Sequence, residues 1–350
     1  MTSFRTLLLA APLALTLAAC DSGEVEAVET FEARPVLQNV ATDVITATYA
    51  DLAAEASDLL AATQALRDDP SAGRLALARQ QWRDTRRPWE LSEGFLFGPV
   101  DTEGLDPALD SWPVNRTDLD AVLASGAALT PAYVGGLEAT LRGFHTIEYL
   151  LFGIDGTKTA GDFTARELDY LVSAAAVLDA DARRLLNAWA PSGQDYAGEL
   201  ANAGGAGSRY PSQQAAVQEL VGGLVTIADE VGSGKIGGPY GDRSTAEEES
   251  RFSGNSLADF ADNIRSVQNV YLGDYAGRTG PGLTDLVAAR DGALNARVRS
   301  EIGAAIAAIE AIPAPFSTAI TESRPAVQAA IDAVLALRAT LEGPVTAALR

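Results

Sequence analysis

From Val36 to Leu341 the apolar residues recur at three- and four-residue spacing, and nowhere do they alternate long enough to make a sheet. That periodicity restricts the chain to helices that bury one face each. It predicts helices over 36–66, from Ser71 to Pro88, and over 117–124. Further helices follow from Thr130-Pro131 through the stretch ending at Gly153, and over 164–190, 213–231, 245–272, 284–311 and 323–341. Asp68-Asp69-Pro70-Ser71 stops the first and caps the second, Pro88 should kink or end the second, and Gly343-Pro344 should stop the last. Residues 99–116 and 191–210 read as irregular, and glycines 153, 156 and 161 mark a loop. The fold class that follows is all-α, in two helical-bundle halves, 36–157 and 158–350.

The amino terminus reads as a targeting segment rather than as fold. Met1 to Arg5 is short and weakly basic, Leu7 to Leu17 is apolar, and Leu17-Ala18-Ala19-Cys20 matches a lipobox. Residues 1–19 are therefore expected to be a lipoprotein signal peptide, with Cys20 diacylated and residues 20–35 an acidic tether. Two acyl chains anchor a protein to a membrane without a spanning helix. Cys20 is the chain's one cysteine, so neither a disulfide nor a cysteine nucleophile is expected. A formal net charge of -21 argues against a nucleic-acid surface, which needs basic patches.

His145 is the single histidine. With Glu148 three residues on, it shares a helix face, so an imidazole and a carboxylate can converge. Upstream, Glu93 to Gly98 repeats the scheme of Glu148 to Gly153: a glutamate, apolar residues, then a glycine that ends the helix. A fainter third copy ends Val270-Tyr271-Leu272-Gly273. A core rarely holds an unpaired carboxylate, so Glu93, His145 and Glu148 are the candidate ligands of a shared ion. The bend at Pro88 would aim Arg86, Ser92 and Glu93 at the same point. The plainer alternatives are a hydrogen-bonded core histidine and a surface Arg86–Glu90 pair. Asp101, Glu103, Asp106 and Asp110 read as caps or solvated acids, and Glu248-Glu249 as the first turns of the 245–272 helix. The stretch Gly232 to Pro239, with Lys235, lacks the spacing of a phosphate-binding loop and has no strand before it.

Counting removes several chemistries. One histidine cannot supply a His-Glu-x-x-His zinc site or a ferritin-like di-iron centre. No Gly-x-Ser-x-Gly elbow accompanies a serine hydrolase reading. One imidazole with several carboxylates remains, a set that favours iron, manganese or calcium over thiolate-bound zinc.

Gly143-Phe144-His145-Thr146-Ile147-Glu148 resembles the Gly-x-His-x-x-Glu signature of the imelysin-like proteins. The segments Trp82 to Gly98, Glu249 to Ser253, and Asp262-Asn263-Ile264 leading to Tyr271-Leu272-Gly273 are similar to the family's in the same order. The resemblance implies exported, iron-linked helical proteins, filed among metallopeptidases, with two four-helix-type bundles and a site in a cleft. It carries His145 and Glu148 as the signature pair, Glu93 as the upstream acid, and Arg86, Ser92 and Ser253 as supporting residues. The expected function is metal binding in iron uptake or homeostasis by a lipid-anchored periplasmic protein, with an iron-transport system as partner. Iron is the expected ion, with calcium or zinc as alternatives and haem or a siderophore behind them. The rival is a metallopeptidase using Glu148.

Overall fold

The computed structural model describes residues 31–350. The expected signal peptide, Cys20 and the tether up to residue 30 lie outside the described residues. Helix α1 (Ala47–Asp68) is entered through the short α-helical segment Arg34–Asn39 and the π-helical Val40–Thr46. The Asp69-Pro70 break follows, and Ser71 caps α2 (Ala72–Glu90) by accepting the Arg74 amide. Pro88 does not break α2: it sits in the last turn, and the chain bends beyond it into the 3-10 turn Glu93–Phe95. Helix α3 (Gly143–Phe152) carries the histidine, and α4 (Ala165–Trp189) begins with a capping box between Thr164 and Glu167. In the second group stand α5 (Gln213–Asp229), α6 (Ser256–Leu272), α7 (Gly292–Glu310) and α8 (Arg324–Thr340).

Each group closes as a ring of four. Helix α1 packs on α2, α2 on α3, α3 on α4, and α4 returns to α1; α5, α6, α7 and α8 close in the same order. Helix α4 lies beyond the glycine-rich loop yet belongs to the first ring, so the rings change over between α4 and α5 rather than at that loop. They meet where α6 packs on α2 and where the Glu93–Phe95 turn lies on α5 and α6. Close approach there needs small residues. A Cβ at Gly223 of α5 would stand 2.4 Å from the Gly94 carbonyl oxygen.

Trp82, Trp89 and Trp189 are fully buried around this framework. The Trp82 indole donates to the Phe144 carbonyl at 3.0 Å, tying α2 to α3. Such burial stabilises by roughly 1.5–3 kcal/mol per large apolar side chain.

Three helices are shorter than their periodicity suggested. The segment 245–255 is turns, and α6 begins only at Ser256, because Ser250 (φ 51°) and Gly254 (φ 66°) adopt positive φ that a helix cannot pass through. The 284–311 run divides at Asp291, whose carboxylate caps α7 through the Ala293 and Leu294 amides. The helix opened by Pro131 ends at Gly135, and α3 starts afresh at Gly143. The one sheet among the described residues is a two-residue hairpin pairing Asp274–Tyr275 with Arg278–Thr279. No described helix is long and apolar enough to cross a membrane.

Candidate metal centre

The site grows from the start of α3. Gly143 has φ +76°, and a Cβ there would lie 2.3 Å from the Leu109 carbonyl oxygen. Glycine thus lets the backbone of the short helix Leu105–Asp110 touch α3, which sets Asp110 beside the next turn. His145 is 2% exposed and Glu148 is fully buried. Their i, i+3 pair forms as spaced, with His145 Nδ1 and Glu148 Oε2 3.1 Å apart. Ser253 holds the other oxygen, Oε1, through its amide (2.7 Å) and hydroxyl (2.8 Å).

With Nδ1 directed at a carboxylate, the far nitrogen of the ring becomes the reactive one. His145 Nε2 lies 3.1 Å from Asp110 Oδ1 and 3.7 Å from Glu249 Oε1. Arg86, fully buried on α2, reaches the same two oxygens: Nη2 is 2.5 Å from Glu249 Oε1, and Nη1 pairs with Asp110 Oδ1. It also pairs with Glu90 at 2.5 Å and stands 3.6 Å from Asp259. Trp89 Nε1 donates to Asp110 Oδ2 at 2.7 Å and Asn263 donates to Glu90 Oε2 at 2.5 Å. Lys235 Nζ donates to Glu249 Oε1 at 3.2 Å and stands 3.0 Å from Oε2, which, like Asp259 Oδ2, accepts no hydrogen bond among the described residues.

The charges do not cancel. Glu90, Glu93, Asp110, Glu148, Glu249 and Asp259 are buried together, against the cations Arg86 and Lys235 and one imidazole. Burial dominates at Glu90, Glu93 and Asp259, whose carboxyls are pushed up despite the nearby cations, Asp259 to about 7. At Asp110 and Glu249 burial pushes the same way, but it is outweighed. Arg86 and His145 hold Asp110 low, and Lys235, Arg86 and His145 hold Glu249 low. Burial and the Arg86 charge press His145 down, yet the surrounding carboxylates of Asp110, Glu148 and Glu249 raise it well above its ordinary value. The excess is therefore balanced either by protons on Glu90, Glu93 and Asp259 or by a cation that displaces protons.

Among the described residues two groups offer ligand atoms all within 4.8 Å of one another: Asp110, His145 and Glu249, and Glu90, Glu93 and Asp110. The sequence candidates divide accordingly. His145 is in the first group and Glu93 in the second, joined through Asp110, while Glu148 stands behind His145. Arg86 lies at the centre. Ser253 orients Glu148, and Ser92 donates its hydroxyl to the Trp89 carbonyl at 2.7 Å. Sequence reasoning missed Asp110, Glu249, Lys235, Asp259 and the buried role of Glu90. The available signal was indirect: buried arginine and histidine on facing helices require acidic partners.

A helical protein with two four-membered rings and a buried imidazole–carboxylate cluster near their seam is the class that this fold and site define. The family model described as Imelysin matches residues 45–342, and the chain belongs to that family. Iron-regulated protein A of Synechococcus elongatus is 35% identical over 311 residues, which cover 87% of this chain and 84% of that protein. A crystal structure from Parabacteroides distasonis, designated an iron-regulated protein A precursor, superposes with a TM-score of 0.83 at 28% identity, covering 93% of this chain and 97% of that one. An imelysin-like protein from Psychrobacter arcticum shares the fold at 17% identity (TM-score 0.74; 90% of this chain, 95% of that one).

Proposed function

We propose that the chain binds a metal ion, iron in first place, through Asp110, His145 Nε2 and Glu249, and serves iron uptake or homeostasis. The observation that carries this is the surplus of buried carboxylates around one imidazole. A nitrogen with two carboxylate oxygens is a donor set suited to iron or manganese. His145, oriented from behind by Glu148, has the arrangement usual for a metal-ligating histidine. Bound metal would supply the positive charge that the acids lack. Arg86 then orients Asp110 and Glu249, and Ser253 fixes Glu148. The name of the Synechococcus relative agrees with an iron-related role. The lipobox at Cys20 supports export and a lipid anchor on a bacterial membrane, facing the periplasm.

Hydrolysis is less well supported. A general base needs a free oxygen near the attacked water, and both Glu148 oxygens are engaged by His145 and Ser253. Haem is disfavoured by space, since the cavity over His145 is about 180 Å³, below the roughly 300–1,000 Å³ of small-molecule pockets.

Anaerobic calorimetric titration of the chain with Fe²⁺ tests the proposal. Uptake with proton release is expected, because His145 must shed a proton to become a ligand, and His145→Ala should abolish it. No uptake, or equal uptake by the variant, overturns the reading.

A further inference from the structure

The chain carries a formal net charge of -21, yet three arginines gather in one groove beside the site. Arg79, Arg83 and Arg251 line a cavity of about 570 Å³, in which the exposed Asp155 is the one acid among the described lining residues. All three arginines are half-buried, and among the described residues none is ion-paired with an acid. Arg79 Nε and Nη2 hold the Leu151 carbonyl at 3.0 and 2.9 Å, and Arg83 Nη2 holds the Ser253 carbonyl at 3.0 Å. Carbonyls answer a guanidinium with partial charge only. Arg79 Nη1, Arg83 Nε and Arg251 Nη2 keep no partner among the described residues.

The arrangement is costly as it stands. Arg79 and Arg83 are like charges at i, i+4, a spacing that destabilises a helix. Burial disfavours both charges, and the Arg83 charge adds to that at Arg79. A bound anion removes such a cost. The groove also holds its guanidinium groups in place. Arg79 and Arg83 lie over the Phe152 ring, 4.9 and 4.8 Å from its centre, and Arg251 lies 4.8 Å from the centre of Phe252. A stacked guanidinium presents its in-plane N–H groups to a carboxylate.

We propose that this groove binds a small polycarboxylate, and that metal reaches the site as an anionic chelate of it rather than as a bare cation. The volume lies within the roughly 300–1,000 Å³ of small-molecule sites. At about 30 Å³ per water-sized group it holds on the order of twenty such groups, so a lone tetrahedral oxyanion would fill little of it. Its position fits delivery. Arg251 and Phe252 also line the cavity over His145, so a ligand in the groove stands against that opening. Arg116 lines the same opening and has no ion pair among the described residues. These charges repel a bare cation and attract an anionic chelate. Below the groove, Arg83 holds the Ser253 carbonyl, Ser253 holds Glu148, and Glu148 meets His145 Nδ1. That the ligand carries metal rests on the metal function proposed above; the polycarboxylate site does not.

Citrate is the probe, titrated calorimetrically into the metal-free full chain at fixed ionic strength, with inorganic phosphate as the control anion. Wild type is expected to bind citrate, and phosphate about tenfold more weakly or not at all. Arg83→Gln and Arg251→Gln should each weaken citrate about tenfold, and His145→Ala should leave it unchanged. Arg251→Gln gives up only a 3.1 Å bond to the Thr245 carbonyl, which keeps the test decisive should Arg83→Gln fail to fold. Equilibrium dialysis against radioactive Fe³⁺–citrate then follows the metal, whose retention should fall in both arginine variants and in His145→Ala. No citrate binding, equal binding by the arginine variants, or phosphate bound as tightly overturns the polycarboxylate site. Iron retained by the arginine variants as by wild type overturns delivery as a chelate. Citrate held through the arginines, with iron retention indifferent to His145→Ala, overturns the metal reading and leaves the polycarboxylate site standing.

Discussion

Replacing Arg86 by methionine removes the guanidinium but keeps an unbranched side chain against the Phe144 ring, over which the Arg86 Cζ now lies at 5.1 Å. Four buried carboxylates lose their shared partner: Glu90 and Glu249 at 2.5 Å, Asp110, and Asp259 at 3.6 Å. Removing one member of a buried ion pair costs about 3–5 kcal/mol. The sum over four partners is capped, because a carboxylate left alone takes up a proton instead. We therefore expect a loss of about 4 kcal/mol at pH 7. The pH dependence follows from Asp110 and Glu249, which Arg86 helps to hold below the usual carboxylate range in the native chain. A depressed carboxyl contributes stability above its unfolded value and loses it as pH falls. In Arg86→Met at least one of the two keeps a proton in the folded state near neutrality, which the unfolded chain has released. The penalty should then shrink on acidification by roughly 1.4 kcal/mol per pH unit and per proton, close to 3 kcal/mol between pH 7 and 5. Urea unfolding of both proteins at the two pH values measures this directly. A loss under about 1 kcal/mol at pH 7, or a penalty that grows with acid, refutes the reasoning.

Gly143→Ala should destabilise by about 3 kcal/mol, since the new Cβ adds a clash with the Leu109 carbonyl to an unfavourable positive φ. Urea melts check it, and a loss below about 0.5 kcal/mol would show that this contact does not set the Asp110 position. Cys20→Ser should move the protein from the membrane to the soluble fraction and abolish radiolabelled palmitate incorporation in the native cell. Unchanged fractionation would dispose of the lipid anchor.

The helices were legible because spacing alone decides which face is buried. The His145–Glu148 contact was legible too, being fixed by helix geometry within one turn. What stayed hidden depends on chain segments far apart in sequence. Asp110 looks like any solvated acid near a proline, and it is buried only because Gly143 lets α3 touch its backbone. Glu249 continued an apparent helix, and the break at Ser250 has no proline to announce it, only a residue held at φ 51° by its surroundings. Lys235 stood in a glycine-rich stretch that reads as loop but folds as the π-helical extension Glu230–Lys235, carrying the ammonium inward. Arg86 and Glu90 have the same i, i+4 spacing whether they face water or the core. The rings of helices determine which, and no local pattern does.

The central claim is that the buried acids around His145 are there to hold a metal ion. Crystals of the chain grown with Fe²⁺ under anaerobic conditions, with diffraction recorded on both sides of the iron absorption edge, test it most directly. An anomalous peak bounded by Asp110, His145 Nε2 and Glu249 is expected. A fully ordered cluster without anomalous density would contradict it.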